Sequence, residues 1–421
     1  MLSAHALLLA AAAASATSGS DAVGLHVGVS ACASALCHGA VDRWEGSRVR
    51  QDEYRVWRDR DRHARAFDAL RGEAARRITD GLGWGAAVAD ARCVACHTDD
   101  ASRRGPELRA EDGVGCEACH GGAGGWLESH ATAAATHRDN LARGMNPIDE
   151  PERRAEICLS CHFGTTRRFV THAMLAAGHP RLRFELDTFT QNEPAHFVID
   201  DGYRARKKSP TSAQLWAVGQ GVALREYIAA LGERGATGAG SMDYALLDCA
   251  ACHHAVGAQP VTGAAPNPRV GLPRLDAASF LMFRRALGVL DAAAAERLDR
   301  DLGELGQAMS RRGLRSPPTL GAMRDRVGAG IARVAAWTPE PATLRALLAS
   351  LLVTDGDVTY LVAEQQAMAI QSVVASMPHT DACATSMNRA LDRLFAAARP
   401  AGFETAAFRD ALADVARARC E

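Results

Sequence analysis

At 421 residues, 48% hydrophobic and 23% charged with a formal net charge of -1, the chain has length for two domains and a sizeable core. The near-zero charge argues against a nucleic-acid partner. Beyond residue 16 no run approaches the roughly 18 apolar residues of a transmembrane helix. Positive charge is almost all arginine, Lys207 and Lys208 being the only lysines. A GC-rich genome explains that blandly; guanidinium forks that grip carboxylates bidentately explain it functionally.

Residues 6–16 (ALLLAAAAASA) end in the small triplet Ala14-Ser15-Ala16 and read as the core and cleavage site of an export signal over 1–16. Met1 to His5 lacks the usual basic residue. The next signal is Cys32-Ala-Ser-Ala-Leu-Cys37-His38, a stretched form of a motif that then recurs without the extra residues. Its perfect copies are Cys93/Cys96/His97, Cys116/Cys119/His120, Cys158/Cys161/His162 and Cys249/Cys252/His253. Cys-x-x-Cys-His is the attachment signature of c-type haem. Each cysteine adds to one porphyrin vinyl group, and the following histidine is carried beneath the iron as proximal ligand. Zinc sites also use paired cysteines but do not require a histidine after every second one. The spacing therefore predicts five covalently attached haems, with His38, His97, His120, His162 and His253 proximal.

Five irons need distal ligands, so the remaining histidines are weighed in chain order. An amphipathic helix is expected over 50–70, with Tyr54, Trp57, His63 and Phe67 on or beside one apolar face; His63 is a distal candidate. His97 and His120 are close in sequence, so their haems must be neighbours. The run Gly121-Gly122-Ala123-Gly124-Gly125 lets backbone approach a flat macrocycle, and His130 behind Trp126 is the second candidate. His137 reads as a solvated helix residue. A turn over 144–151 precedes the helix of the fourth motif. His172 and His179 follow, with Gly178 and Pro180 ending their helix so that the two reach different irons. His196 is a weaker candidate; His254 beside the fifth motif reads as a ligand to a neighbouring haem, with a propionate or backbone hydrogen bond as the bland alternative.

Residues 211–233 predict another helix, and 255–275 are rich in proline and glycine without periodicity, which marks a linker at 261–275. From 276 to 421 there is no haem motif. Amphipathic patterns predict a helical bundle, with Asp276 capping its first helix, Thr338-Pro339 opening another and Pro378 and Pro400 marking breaks. Tyr360 to Ile370 reads as its buried centre. Cys383 and Cys420 belong to no motif; a disulfide between them or two buried thiols are both open. The fold class is thus mainly α: a multihaem cytochrome c fold over 17–260 and a helical domain over 276–421.

The Arg62-His63-Ala64 helix, Cys93-Val-Ala-Cys96-His97, the block Gly113 to Gly121 and the Trp126 to His130 tail resemble the multihaem c-type cytochromes typified by the tetrahaem electron carrier of hydroxylamine oxidation. The resemblance covers roughly 28–260. It implies that His63 and His130 serve the third and first haems, and that the second haem is open or weakly ligated at His97. The fifth motif, the stretched first motif and the helical C-terminal half depart from that small carrier. The implied function is a periplasmic electron carrier working between redox proteins through mostly bis-histidine haems. A multihaem enzyme acting on a small nitrogen or sulfur compound is the alternative. Every motif ends in histidine rather than the lysine of nitrite reductases, and no tyrosine context suggests the crosslink of hydroxylamine-type oxidases. A third use is as a subunit of a respiratory complex.

Overall fold

The computed structural model describes residues 24–47, 49–99, 102–165, 168–234, 242–253, 274–312, 319–354, 358–378 and 380–418. The expected signal segment, nearly all of the expected linker, His254 and Cys420 lie outside the described residues. The protein is mainly α: among the described residues there are helices and 3-10 turns, two isolated bridges and no strand. None of these helices is long and apolar enough to cross a membrane.

The first part of the chain holds short helices: α1 (Glu53–Arg60), α2 (Glu73–Leu82), α3 (Ala91–His97), α4 (Cys116–His120), α5 (Leu127–His130) and α6 (His137–Ala142). The cysteines and histidines of the second, third and fourth motifs sit on α3, α4 and, further on, α7 (Pro151–His162), while those of the first and fifth lie in turns. The expected single helix over 50–70 is broken. Asp61 adopts an extended ψ of 132°, and its carboxylate instead accepts from the His63 backbone N–H at 2.9 Å, so 3-10 turns replace the helix over Arg62–Arg65 and Phe67–Arg71. An aspartate that caps the next turn competes with the helix it would have continued.

Side-chain packing contributes a small apolar core here, Phe67, Leu70, Ala75 and Ala87, against which Cys93 and Val94 lie. The glycines after the third motif serve backbone-to-backbone approach rather than an open face: a Cβ on Gly121 would lie 2.7 Å from the Gly144 carbonyl oxygen, and one on Gly122 would lie 2.5 Å from the Gly24 carbonyl carbon.

After α8 (His172–Ala176), α9 (Leu186–Asn192) and α10 (Asp201–Arg204) comes the long α11 (Ser212–Arg234). It is buried on almost every side, from Ala213 to Leu231, as befits a helix that is apolar all round. One continuous core joins it to α7 and to the C-terminal helices α12 (Ala278–Leu290), α13 (Ala292–Arg312), α14 (Leu320–Ala335), α15 (Pro341–Leu351), α16 (Tyr360–Ala375), α17 (Asp381–Ala397) and α18 (Thr405–Arg417). Arg225 on α11 pairs with Glu152 at 2.7 Å and Glu156 at 2.8 Å, which ties the helix of the fourth motif to this core. Asp276 accepts from the Ala278 N–H, the expected cap. The helix expected after Thr338-Pro339 starts at Pro341, where proline needs no N–H partner. Cys383 is disulfide-bonded.

Close helix approach is what the α11 glycines are for. A Cβ on Gly221 would stand 2.6 Å from Phe283 Cε2 and 2.7 Å from Ile331 Cγ1, both on packed helices. Gly221→Val is expected to lower the urea midpoint of the whole molecule, with an overpacking cost of about 1–3 kcal/mol; an unchanged midpoint would show that α11 has room to shift.

Candidate functional site

Imidazoles that are far apart in sequence meet in facing pairs. The ring centres of His38 and His130 lie 6.2 Å apart, those of His63 and His162 6.0 Å, those of His120 and His196 6.3 Å, and those of His172 and His253 6.3 Å. A metal–imidazole bond of about 2.0 Å, plus about 1.1 Å from ring nitrogen to ring centre, puts the ring centres of two imidazoles trans on one metal about 6.2 Å apart. Each pair joins one motif histidine to one histidine outside the motifs. The planes are near parallel for His38/His130 (13°) and His172/His253 (30°), and near perpendicular for His63/His162 (87°) and His120/His196 (76°).

Hydrogen bonds fix which ring nitrogen is free. Nδ1 of His38 faces Glu53 Oε2 at 2.9 Å, and Nδ1 of His63 faces Asp61 Oδ1 at 3.0 Å. His97 Nδ1 meets the Ala66 carbonyl at 2.8 Å, His130 Nδ1 the Leu127 carbonyl, and His179 Nδ1 the Pro180 carbonyl at 2.8 Å. Carbonyls and carboxylates only accept, so each Nδ1 carries the proton and each neutral ring keeps its Nε2 lone pair for a metal. An orienting acceptor of this kind is the usual companion of a ligating histidine. His137 is the reverse: its Nε2 is engaged by Asp149 at 3.1 Å, and it is half-buried rather than solvated.

Charge follows the same partners. The Glu53 carboxylate raises the pKa of His38, and Asp61 raises that of His63. Burial pushes His120 down to about 3 and His162 down to about 4, which keeps both rings neutral and ready to ligate. Replacing Asp61 by alanine removes the acceptor behind His63 and the cap that turns it inward. The expected result is an upward shift in the reduction potential of a single haem, read by potentiometric titration; a titration identical to the parent would remove Asp61 from the site.

The cysteines also meet across motifs. The thiols of Cys32 and Cys116 are hydrogen-bonded, as are those of Cys96 and Cys161; the latter contact, with Arg168 nearby, brings Cys161 down to about 6. Cys119 feels the charge of Cys158, and burial raises the pKa of both. First and third motifs therefore adjoin, as do second and fourth, with third and fourth between them.

The third motif is held by its own intervening residue. Glu117 is buried, and its carboxylate accepts from Val27 N at 2.9 Å, Gly28 N at 2.7 Å and Ala123 N at 2.7 Å. Gly113 (φ 68°) brings its loop against the His63 carbonyl, and Val114 N donates to that carbonyl at 3.0 Å. Glu117→Ala strands three N–H groups, two of them in buried hydrogen bonds, and is expected to cost about 3 kcal/mol or more in urea unfolding; a loss under about 1 kcal/mol would mean water or a neighbour takes over.

Set beside the sequence reading, His130 lies next to His38 of the first motif. The His63 ring lies next to that of His162 in the fourth motif. His196 takes the place opposite His120. His172 faces the fifth motif. Burial lowers the pKa of His179, with the charge of His97 adding to it. Glu53, Asp61 and Glu117 escaped sequence reasoning; an acid two residues before a candidate histidine was the available signal for Asp61.

The donor set and its surroundings fit haem c. Each motif supplies two cysteines outside any disulfide, beside an imidazole. At the first site the Trp126 indole stands edge-on to His130 at 5.2 Å, and its buried N–H has no acceptor among the described residues, which suits a propionate carboxylate. Residues 31–121 match the family model described as cytochrome c554 and c-prime, a span holding the first three motifs and His63. No curated protein and no solved structure matches the chain. The match supports a multihaem cytochrome c that carries haem c and works in electron transfer.

Proposed function

We propose that this chain is a pentahaem c-type cytochrome, exported across the inner membrane, that passes electrons between redox protein partners. The four imidazole pairs at trans distance carry the reading. An iron held between two histidines has no position left for substrate and cycles between ferric and ferrous states, the chemistry that haem supplies here. Cys32/Cys37, Cys93/Cys96, Cys116/Cys119, Cys158/Cys161 and Cys249/Cys252 would hold the five groups by thioether bonds. His130, His196, His63 and His172 would complete the first, third, fourth and fifth sites, with His179 reaching towards the second.

The chain's own side chains set the environment. Glu53 and Asp61 orient His38 and His63 and add negative charge behind them, which favours the ferric state. Burial of His120 and His162 works the other way, since a buried cation is disfavoured. Neighbouring sites would thus differ in potential.

The second site favours a second reading. His97 has no imidazole at trans distance among the described residues, so a small nitrogen compound could bind and react there. One experiment separates the two. Intact mass of the purified holoprotein is expected to show five haem additions. The dithionite-reduced form is expected to reduce an oxidised c-type cytochrome in stopped flow, without steady-state consumption of nitrite or hydroxylamine. Zinc in place of iron would overturn the haem reading, and sustained turnover of either compound would make the protein an enzyme.

A further inference from the structure

The stretch 242–253 carries the fifth motif and reaches both imidazoles of its site. Asp243 Oδ1 accepts from the His172 N–H at 2.9 Å and from the Ala245 N–H at 3.0 Å, which fastens the start of α8 to the turn before the motif. At the other end the His253 N–H donates to the Cys249 carbonyl at 2.7 Å. The two rings placed in this way are the facing pair 6.3 Å apart.

Between its ends the stretch is gripped by the C-terminal half. Leu247 forms an antiparallel bridge with Leu275, and the Asp248 N–H donates to the Arg274 carbonyl at 2.8 Å. The Leu246 carbonyl accepts from the Asp276 N–H at 3.3 Å and from the Tyr227 hydroxyl of α11 at 2.7 Å. Met242, Leu246, Leu247 and Leu275 belong to the core shared with the C-terminal helices. Asp248 stands immediately before Cys249. One of its carboxylate oxygens accepts from the Ala250 N–H at 3.0 Å and caps the turn that bears Cys249. The other pairs with the Arg274 guanidinium at 2.9 Å, and Asp248 and Arg274 are only 6% and 9% exposed.

A buried ion pair adds little stability over an apolar one, but removing one partner strands a charge out of water. Here the two residues are joined twice, through backbone and through side chains, so the pair fixes how the stretch lies against the C-terminal half. We infer that the C-terminal helical half forms part of the fifth haem's binding site, and that Asp248 and Arg274 are positioning residues for that haem. They act through the stretch they hold, which sets where Cys249 and Cys252 attach the group and how the His172 and His253 rings sit across it. The inference rests on the haem reading above. It adds a role for the C-terminal helices, which lie outside the matched family span of 31–121.

Potentiometric titration and low-temperature EPR of the haem-loaded full chain test it, with Arg274→Gln, Asp248→Asn and the double variant. Asparagine keeps an oxygen to cap Ala250, so Asp248→Asn removes the charge alone. Each variant is expected to shift the potential of one haem and one low-spin signal, leaving the other haems at their parent values. The double variant should shift less than the sum of the single ones, since neither charge is then buried alone. Arg326→Gln, which breaks the Arg326–Asp301 pair between α14 and α13, should move no potential. Five-haem variants with every potential and signal of the parent would reduce the pair to a clamp between helices and overturn the inference. A variant that fails to fold leaves the reverse test, Cys249→Ala with Cys252→Ala. Loss of that attachment should cut hydrogen-exchange protection at the Asp248, Ala250 and Asp276 amides several-fold; unchanged protection there would overturn the inference. A parent protein with fewer than five haems by mass would instead defeat the haem reading itself, so the two failures are distinguishable.

Discussion

Replacing His196 by alanine turns one haem of the holoprotein from low spin to high spin and leaves the others unchanged. His196 is the imidazole facing His120, 6.3 Å away, and among the described residues no third imidazole stands within ring contact of His120. The third site then gains an open position. Carbon monoxide uptake by the reduced variant should rise by one equivalent per protein, and the potential of that haem should rise with loss of a nitrogen ligand. His137→Ala is the control, because its Nε2 is spoken for by Asp149; its spectra should match the parent. Unchanged carbon monoxide stoichiometry in the His196 variant would break the pairing of His120 with His196.

Phe283→Ala is expected to destabilise the entire molecule by about 3–5 kcal/mol, the range for deleting a fully buried phenylalanine. Phe283 is 0% exposed and lies under Gly221 and Gly330, where α12, α11 and α14 converge. Because α11 is also bound to the fourth-motif helix through Arg225, haem absorbance and helical circular dichroism should be lost at the same urea concentration. Two separated transitions would show instead that the halves unfold independently.

Those two experiments probe what the sequence conveyed unequally. Motif cysteines and proximal histidines were legible because haem attachment demands residues at fixed, adjacent positions. The distal partners were not, since His38 with His130 or His172 with His253 are brought together only by the path of the chain. No local pattern encodes which ring faces which. His63 was legible as a candidate, but the break in its helix was not, because periodicity over 50–70 says nothing of an aspartate that caps a new turn. The helices after 276 were readable from caps and prolines. The role of α11 was not: a helix apolar on every side has no face from which to infer its neighbours, and only the structure reveals that it is shared between α7 and the C-terminal helices.

Paired imidazoles are the centre of the account, and low-temperature EPR of the oxidised, haem-loaded protein tests them most directly. Near-parallel ligand planes separate the iron d-orbitals that near-perpendicular planes leave almost degenerate, so the two arrangements give distinct low-spin signals. Four low-spin haems are expected, two rhombic from the first and fifth sites and two highly anisotropic from the third and fourth. None of the four should respond to nitrite, hydroxylamine or, when reduced, carbon monoxide; only the haem at His97 is free to do so. High-spin signals from two or more haems, or ligand binding at more than one, would contradict the account.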